Sequence, residues 1–327
     1  MINGFQVSQA LCAAVTLGLP DLLAGGPRRA EDLATETKTD ARSLYRLLRA
    51  LGTFGIVSEQ PEGDAREFGL TDLGELLRTD VSGSLAGWAA LVARPYMWAA
   101  WGDLLHAVRT GEDAFAGQHG ESVWAWRERH PDESRIFDRA MSAISATVST
   151  RLVQNYDFAR FSSLADLGGG DGTLLATVLS RCPDLRGVLF DLPHVVPGAT
   201  ARIAAAGVSD RCEVVRGNFF DSVPPGCDAY VLKSILHDWD DASTLRILRN
   251  VRDAAAPGTV LVIVERTMTD LAPALAAGMS DLNMMVITGG MERTMSEWSY
   301  LARESGFAIS AAVDIGVNWS AIEAIRT

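Results

Sequence analysis

Cysteine is scarce in this chain. Cys12, Cys182, Cys212 and Cys227 are scattered through 327 residues without a CxxC pair, which argues against a zinc site or a disulfide framework and fits reduced thiols in a cytoplasm. Basic charge is short as well. Lysine and arginine total 29 against 41 aspartates and glutamates, a net charge of −12, so nucleic-acid phosphates and anionic membrane surfaces would be repelled and small-molecule partners are expected. No run of 18 apolar residues is present, because Arg94 and Asp103 break the Trp-rich stretch that starts at Trp88, and no membrane span is expected. A secretory signal is not expected either. The uncharged start before Asp21 has no positive n-region and is interrupted by Asn3, Gln6, Ser8, Gln9 and Thr16, while Leu11, Val15 and Leu19 fall at helical spacing. There is no internal repeat or low-complexity segment. What is present is ordinary globular composition, 48% hydrophobic and 21% charged, at a length that suggests about two domains.

Apolar spacing divides the chain. Residues 1–108 read as helices with one short β element around Ile56 and Val57; Asp40 is placed to cap a helix whose Leu44, Leu47, Leu48 and Leu51 form one face, and Gly52 and Gly55 end it. A polar turn, EQPEGDAREFG, precedes a further helix at Leu70-Thr71-Asp72. Helix, helix and small hairpin make a winged-helix pattern. Residues 109–156 read as linker and connecting helices: the Gly-rich RTGEDAFAGQHGE is a candidate loop, and Ile136, Ala140, Ile144 and Val148 mark a long helix after it. From 157 to 327, short apolar strands alternate with helices, which predicts an α/β domain with a doubly wound parallel sheet. FAISAAVDIG and NWSAIEAI, with no helix between them, read as an antiparallel edge hairpin.

In such a sheet, ligands bind beyond the carboxyl ends of the strands near the switch point. Three segments fall there. The first is Asp166-Leu167-Gly168-Gly169-Gly170-Asp171-Gly172-Thr173, whose glycines let a ligand approach backbone N–H groups. A dinucleotide fingerprint requires glycine where Thr173 stands, which disfavours a nicotinamide reading. The second is FDLPHV, where Asp191 ends a strand and can accept from both ribose hydroxyls of an adenosine. The third is VLKSILHDWDD, with Lys233 at a strand end and His237 four residues on. An imidazole can take a phenolic proton near neutral pH if a carboxylate holds its other nitrogen, and Glu265 and Glu292 are candidates for that carboxylate.

LADLGGGDG, FDLPHV, GNFF, LKSILHDWDD, LVIVER and DLNMMVITGGMERTMSEW, in that order and spacing, resemble the S-adenosylmethionine-dependent small-molecule O-methyltransferases of the caffeic-acid type, and most of all bacterial enzymes that methylate aromatic natural products. The resemblance covers nearly the whole chain, including LYRLLRALGTFGIV and LTDLGELLR in the winged-helix dimerisation domain. It implies a Rossmann-like class I methyltransferase domain and S-adenosyl-L-methionine as cofactor, with S-adenosyl-L-homocysteine as product and no metal. It further implies a homodimer formed through the N-terminal domain and transfer to a hydroxyl of an aromatic acceptor. Asp166, Gly168, Gly170, Asp191, Leu192, Asn218, Phe219 and Lys233 then correspond to cofactor-binding positions. Asn218 stands where relatives carry aspartate, so an amide oxygen replaces a carboxylate toward the adenine amino group. His237 matches the general base, Asp238 its acidic neighbour, and Glu265 and Glu292 the carboxylates that orient it. Met141 and Met284 match positions that clamp an aromatic ring with polarizable thioethers; Phe137, one turn before Met141, and Asn283 would line the same pocket. The tryptophans Trp98, Trp101, Trp124 and Trp126 are expected to pack the helical domain.

Two other classes compete. A winged helix can read DNA, and Arg42, Arg46 and Arg49 share a helical face, but residues 1–110 hold ten basic against thirteen acidic residues, without the basic footprint of a DNA reader. A family member repurposed to other chemistry is the second, against which the retention of His237, Glu265 and Glu292 speaks.

Overall fold

A computed structural model describes residues 2–62, 65–269, 275–316 and 318–327. The chain divides into two compact units, Met1–Gly102 with Trp124–Ile144, and Asp103–Val123 with Ser145–Thr327. The segment 109–156, read from sequence as one connecting region, is therefore shared between two bodies. Its long helix, Pro131–Asn155, gives its first part to one unit and its last part to the other.

In the first unit, helices Gly4–Thr16, Ala30–Thr37 and Ala41–Thr53 enclose Leu33, Leu44, Leu48, Leu51 and Phe68, all nearly inaccessible. Asp40 caps as expected, its carboxylate accepting from the Ser43 N–H at 2.8 Å. The single β element does not hold. Three strands are present, β1 Arg28–Arg29, β2 Val57–Glu62 and β3 Ala65–Leu70, in the order β1-β3-β2 and all antiparallel. The stretch that looks like a polar turn forms a ribbon with one solvated face, because Phe68 is buried against Tyr45 while Arg66 and Glu59 pair outside. Gly63 and Asp64, inside that expected turn, lie outside the described residues. Helix Ala86–Val92 approaches helix Pro131–Asn155 so closely that a Cβ on Gly87 would stand 2.9 Å from Ala140 Cα.

The second unit holds β4 Ser163–Leu167, β5 Arg186–Asp191, β6 Cys212–Arg216, β7 Ala229–Lys233, β8 Val260–Met268, β9 Arg293–Thr294, β10 Phe307–Gly316 and β11 Trp319–Arg326. Strands β6-β5-β4-β7-β8 run parallel; β11 and β10 extend the sheet antiparallel as the expected edge hairpin, and β9 pairs with β8. The apolar runs of β4, β7 and β8 are buried almost throughout, as strands covered on both faces must be. Strand order reverses between β4 and β7, and the glycine segment and the His237 segment leave the sheet at those two carboxyl ends.

The RTGEDAFAGQHGE segment is not a loop throughout. Residues Ala114–His119 form a helix that Asp113 caps, accepting from the Ala116 N–H at 2.6 Å, with Gly120 at φ +76° ending it. Burial of Ala114 and Phe115 outweighs the glycine and polar content that suggested a loop. Among the described residues no helix is long and apolar enough to cross a membrane.

Candidate active site

The glycine segment turns back on itself after β4. Gly168 has φ +69°, and a Cβ there would stand 2.5 Å from the Ile235 side chain, so only glycine fits between the two strand ends. Gly170 has φ +58° and nothing within 4 Å of where its Cβ would be, leaving open space above the backbone. Asp191, at the end of β5, spans this opening, its two oxygens accepting from the N–H groups of Gly170 at 2.7 Å and Leu192 at 2.6 Å. Each oxygen retains a second lone pair. Beneath the loop, Asp166 is buried and its Oδ2 has no hydrogen-bond partner; burial pushes its carboxyl up to about 7, against the pull of the Lys233 charge. Burial likewise lowers the Lys233 ammonium below the usual lysine range, opposed by Asp166 and Glu265. Phe219 lies beside Gly168, 3.6 Å from a Cβ built there. The Asn218 Oδ1 accepts from the Phe220 N–H at 2.9 Å.

His237 sits in a single 3-10 turn, Leu236–Asp238, after β7. Ser234, with φ +58°, redirects the chain into that turn. Three consecutive N–H groups, of Ile235, Leu236 and His237, point at one oxygen of Glu265, Oε1, at 2.9, 2.8 and 3.4 Å. The other oxygen, Oε2, lies 3.4 Å from His237 Nδ1, and Nδ1 is 3.3 Å from Glu292 Oε1. This leaves Nε2, with Asp238 Oδ1 at 3.8 Å, as the nitrogen open to a reacting group.

The electrostatics follow from this crowding. Burial opposes a charged ring at His237, but Glu265, Asp238 and Glu292 outweigh it and hold the imidazole up to about 10. Burial also lifts Glu265, to about 7, with the His237 charge opposing. For Glu292 burial is overcome by hydrogen bonds from His237 and Ser280, and its carboxyl stays below the usual glutamate range. The sequence reading placed the base near neutrality; with three carboxylates around it, the ring instead stays protonated well above pH 7.

Family models match both parts of the chain, an O-methyltransferase dimerisation domain over residues 1–80 and an O-methyltransferase domain over residues 101–308. The chain belongs to the O-methyltransferase family. Curated relatives of this methyltransferase include the phenazine O-methyltransferase PhzM of Lysobacter antibioticus, 39% identical over 99% of this chain and 94% of the relative. Another is the 8-amino-8-demethylriboflavin N,N-dimethyltransferase of Streptomyces davaonensis, 38% identical over 97% of this chain and 91% of the relative. Among solved structures, the O-methyltransferase NcsB1 from neocarzinostatin biosynthesis, in complex with S-adenosylmethionine and 2-hydroxy-5-methyl naphthoic acid, superposes with a TM-score of 0.84 at 34% identity, covering 98% of this chain and 96% of that one.

The methyltransferase is S-adenosylmethionine-dependent, and its glycine segment fits the cofactor on its own evidence: the open cradle over Gly170, the spare lone pairs of Asp191 and the unpartnered Oδ2 of Asp166. Of the residues expected to line the acceptor pocket, Asn283 and Met284 lie half-buried on helix Leu275–Ile287 of the second unit. Phe137 and Met141 belong to the first unit, where the Arg127 guanidinium lies 3.5 Å from the Phe137 ring centroid and Trp124 meets that ring edge-on at 6.2 Å. Trp126 stacks on His130 and meets Tyr96 at a tilt of 32°, which is packing within that unit.

Sequence reasoning missed Arg293 and Ser280. Arg293 is wholly buried and donates to the carbonyl oxygens of Leu236 at 2.9 Å and Trp239 at 2.8 Å and to Asp241, holding the His237 turn from its carbonyl side. Its signal was adjacency to Glu292 and a lone cation in an apolar surround. Ser280 donates to Glu292 Oε1 at 2.7 Å, and no sequence pattern marks it.

Proposed function

We propose that this methyltransferase moves a methyl group to a hydroxyl of an aromatic natural-product acceptor, with Nε2 of His237 as general base. The observation that carries this is the His237 imidazole with Nδ1 held by Glu292 and backed by Glu265, at the sheet edge beside the glycine cradle. In this reading Asp191 holds the ribose hydroxyls, Leu192, Asn218 and Phe219 flank the adenine, and Asp166, Gly168, Gly170 and Lys233 line the remainder. When bound, S-adenosylmethionine supplies an electrophilic methyl group and leaves as S-adenosylhomocysteine. Nε2 takes the acceptor proton while the acceptor oxygen forms its bond to the methyl carbon, and Glu265 and Glu292 neutralise the imidazolium that results. A phenol ionises at about 10, as tyrosine does. A base held near the same value gives nearly balanced proton transfer.

Phe137, Met141, Asn283 and Met284 are assigned to acceptor binding, and Asp238 to the edge of the base. That one relative is an N,N-dimethyltransferase supports aromatic amines as a second acceptor class, served by the same Nε2. The dimerisation domain, together with exposed Ile2, Phe5, Phe54, Leu73 and Trp88 on the first unit, supports a homodimer. A cytoplasmic setting fits four cysteines that are all free thiols.

The test is methyl transfer from labelled S-adenosylmethionine to a panel of hydroxylated phenazines and naphthoic acids by wild type and His237→Gln. Turnover falls roughly a hundredfold or more in the variant while S-adenosylhomocysteine still binds by calorimetry. Unchanged turnover overturns the assignment.

A further inference from the structure

Helix Leu275–Ile287 does more than carry Asn283 and Met284. Two consecutive residues on it grip Glu292 from different sides: Ser280 Oγ donates to the side-chain Oε1 at 2.7 Å, and Asp281 Oδ1 accepts from the Glu292 backbone N–H at 2.9 Å. The oxygen that Ser280 engages is the one that faces His237 Nδ1 at 3.3 Å. The second oxygen of Glu292 is buried and has no hydrogen-bond partner. Rotation of the carboxylate is therefore opposed on Oε1 alone, by Ser280 and by the ring itself.

We propose that Ser280 is a positioning residue for the base: its hydroxyl fixes Glu292 against the imidazole of His237 and ties the base to the helix that carries the acceptor-side residues Asn283 and Met284. This rests on the reading of His237 as the base. The groups that face the ring are Glu265 from β8, Glu292 from the segment after the helix and Asp238 from its own turn; Glu292 in turn faces Arg266 of β8 and Asp281 of the helix. Within that set, Ser280 is the neutral donor that shares an oxygen with the ring. A hydrogen bond to a carboxylate oxygen favours its ionised form, so the hydroxyl keeps Glu292 both charged and turned toward the imidazolium. With the hydroxyl gone, the carboxylate can turn away from the ring on its one remaining contact, and the protonated imidazole loses part of its hold.

Histidine-selective 15N NMR of the full chain reads this directly, the His237 signals being assigned by their absence in His237→Gln. In Ser280→Ala the His237 titration midpoint moves to lower pH by about half a unit to one unit, and Ser280→Thr, which keeps the hydroxyl, returns it to the wild-type position. S-adenosylhomocysteine binds both variants as it binds wild type. A titration that superimposes on wild type, a midpoint that moves up, a failure of threonine to restore it, or loss of S-adenosylhomocysteine binding in Ser280→Ala overturns the proposal. Full methyl transfer by His237→Gln would instead overturn the base assignment, and the titration result would stand apart from it.

Discussion

Glu265 and Arg293 grip opposite polarities of the same turn: the carboxylate gathers the N–H groups of Ile235, Leu236 and His237, and the guanidinium gathers the carbonyl oxygens of Leu236 and Trp239. The proposed base, His237, thus sits on a backbone clamped between two buried charges. Such clamping limits where Nε2 can point, which is what positioning a proton acceptor requires.

Arg293→Lys keeps the charge but lacks the fork that reaches two carbonyls and a carboxylate together. Two carbonyl groups lose a donor, and roughly 2–5 kcal/mol of stability is expected to go with them. Urea denaturation measures the loss. Glu265→Gln should behave differently, since its amide oxygen still accepts from the turn while its NH2 would meet the Nδ1–H donor head-on. Stability should fall little and turnover by about tenfold or more; equal losses of stability in the two variants would contradict the division of roles.

The pH dependence follows from the His237 environment. The folded ring is held up to about 10 against an ordinary value of 6.5, so its pairing with Glu265 and Glu292 stabilises the fold fully below pH 6.5 and loses that contribution as pH rises toward 10. Urea titrations of wild type should show stability declining across that window more steeply than those of His237→Gln. Because the proposed base acts deprotonated, kcat/KM should climb with pH over the same window. Two acceptors whose own ionisation differs by about two pH units separate the sources: the limb stays fixed if it belongs to His237 and follows the acceptor otherwise.

Much of this was legible before any coordinates. The glycine segment, Asp191, His237 and the edge hairpin each announce themselves by residue type at a strand end, where sheet topology decides what meets. The small β-sheet of the first unit was hidden because, beyond the buried Val57 and Phe68, β2 and β3 are mostly polar or charged, with too little apolar character to separate strand from turn. The helix Ala114–His119 was hidden by its flanking glycines. Arg293 clamps a turn 57 residues away at Leu236, and Ser280 acts through Glu292, 12 residues on, so beyond the adjacency of Arg293 to Glu292 neither role shows in a local pattern.

The two positive-φ glycines of the loop should separate under the same substitution. Gly168→Ala drives a Cβ to 2.5 Å from Ile235, so its cost appears as lost stability. In Gly170→Ala the methyl stands in open space with only backbone strain of about 1 kcal/mol, and it occupies the cradle. Thermal melts should show Gly168→Ala as the less stable of the two, and calorimetry should show Gly170→Ala losing S-adenosylhomocysteine affinity while remaining folded. Wild-type affinity in Gly170→Ala would remove that glycine from the cofactor site.

Asn218 offers a gain instead of a loss. Its Oδ1 already accepts from the Phe220 N–H, an arrangement an aspartate reproduces with one oxygen, freeing the second as an ionised acceptor toward an adenine amino group. Hydrogen bonds to a charged acceptor are about twice as strong as neutral ones, so Asn218→Asp should bind S-adenosylhomocysteine roughly three- to tenfold more tightly at neutral pH. The gain should vanish as the new carboxyl is protonated, near pH 4. A calorimetric pH series on wild type and variant decides it: a pH-dependent gain places residue 218 at the adenine, and identical affinities throughout would remove it from the cofactor site.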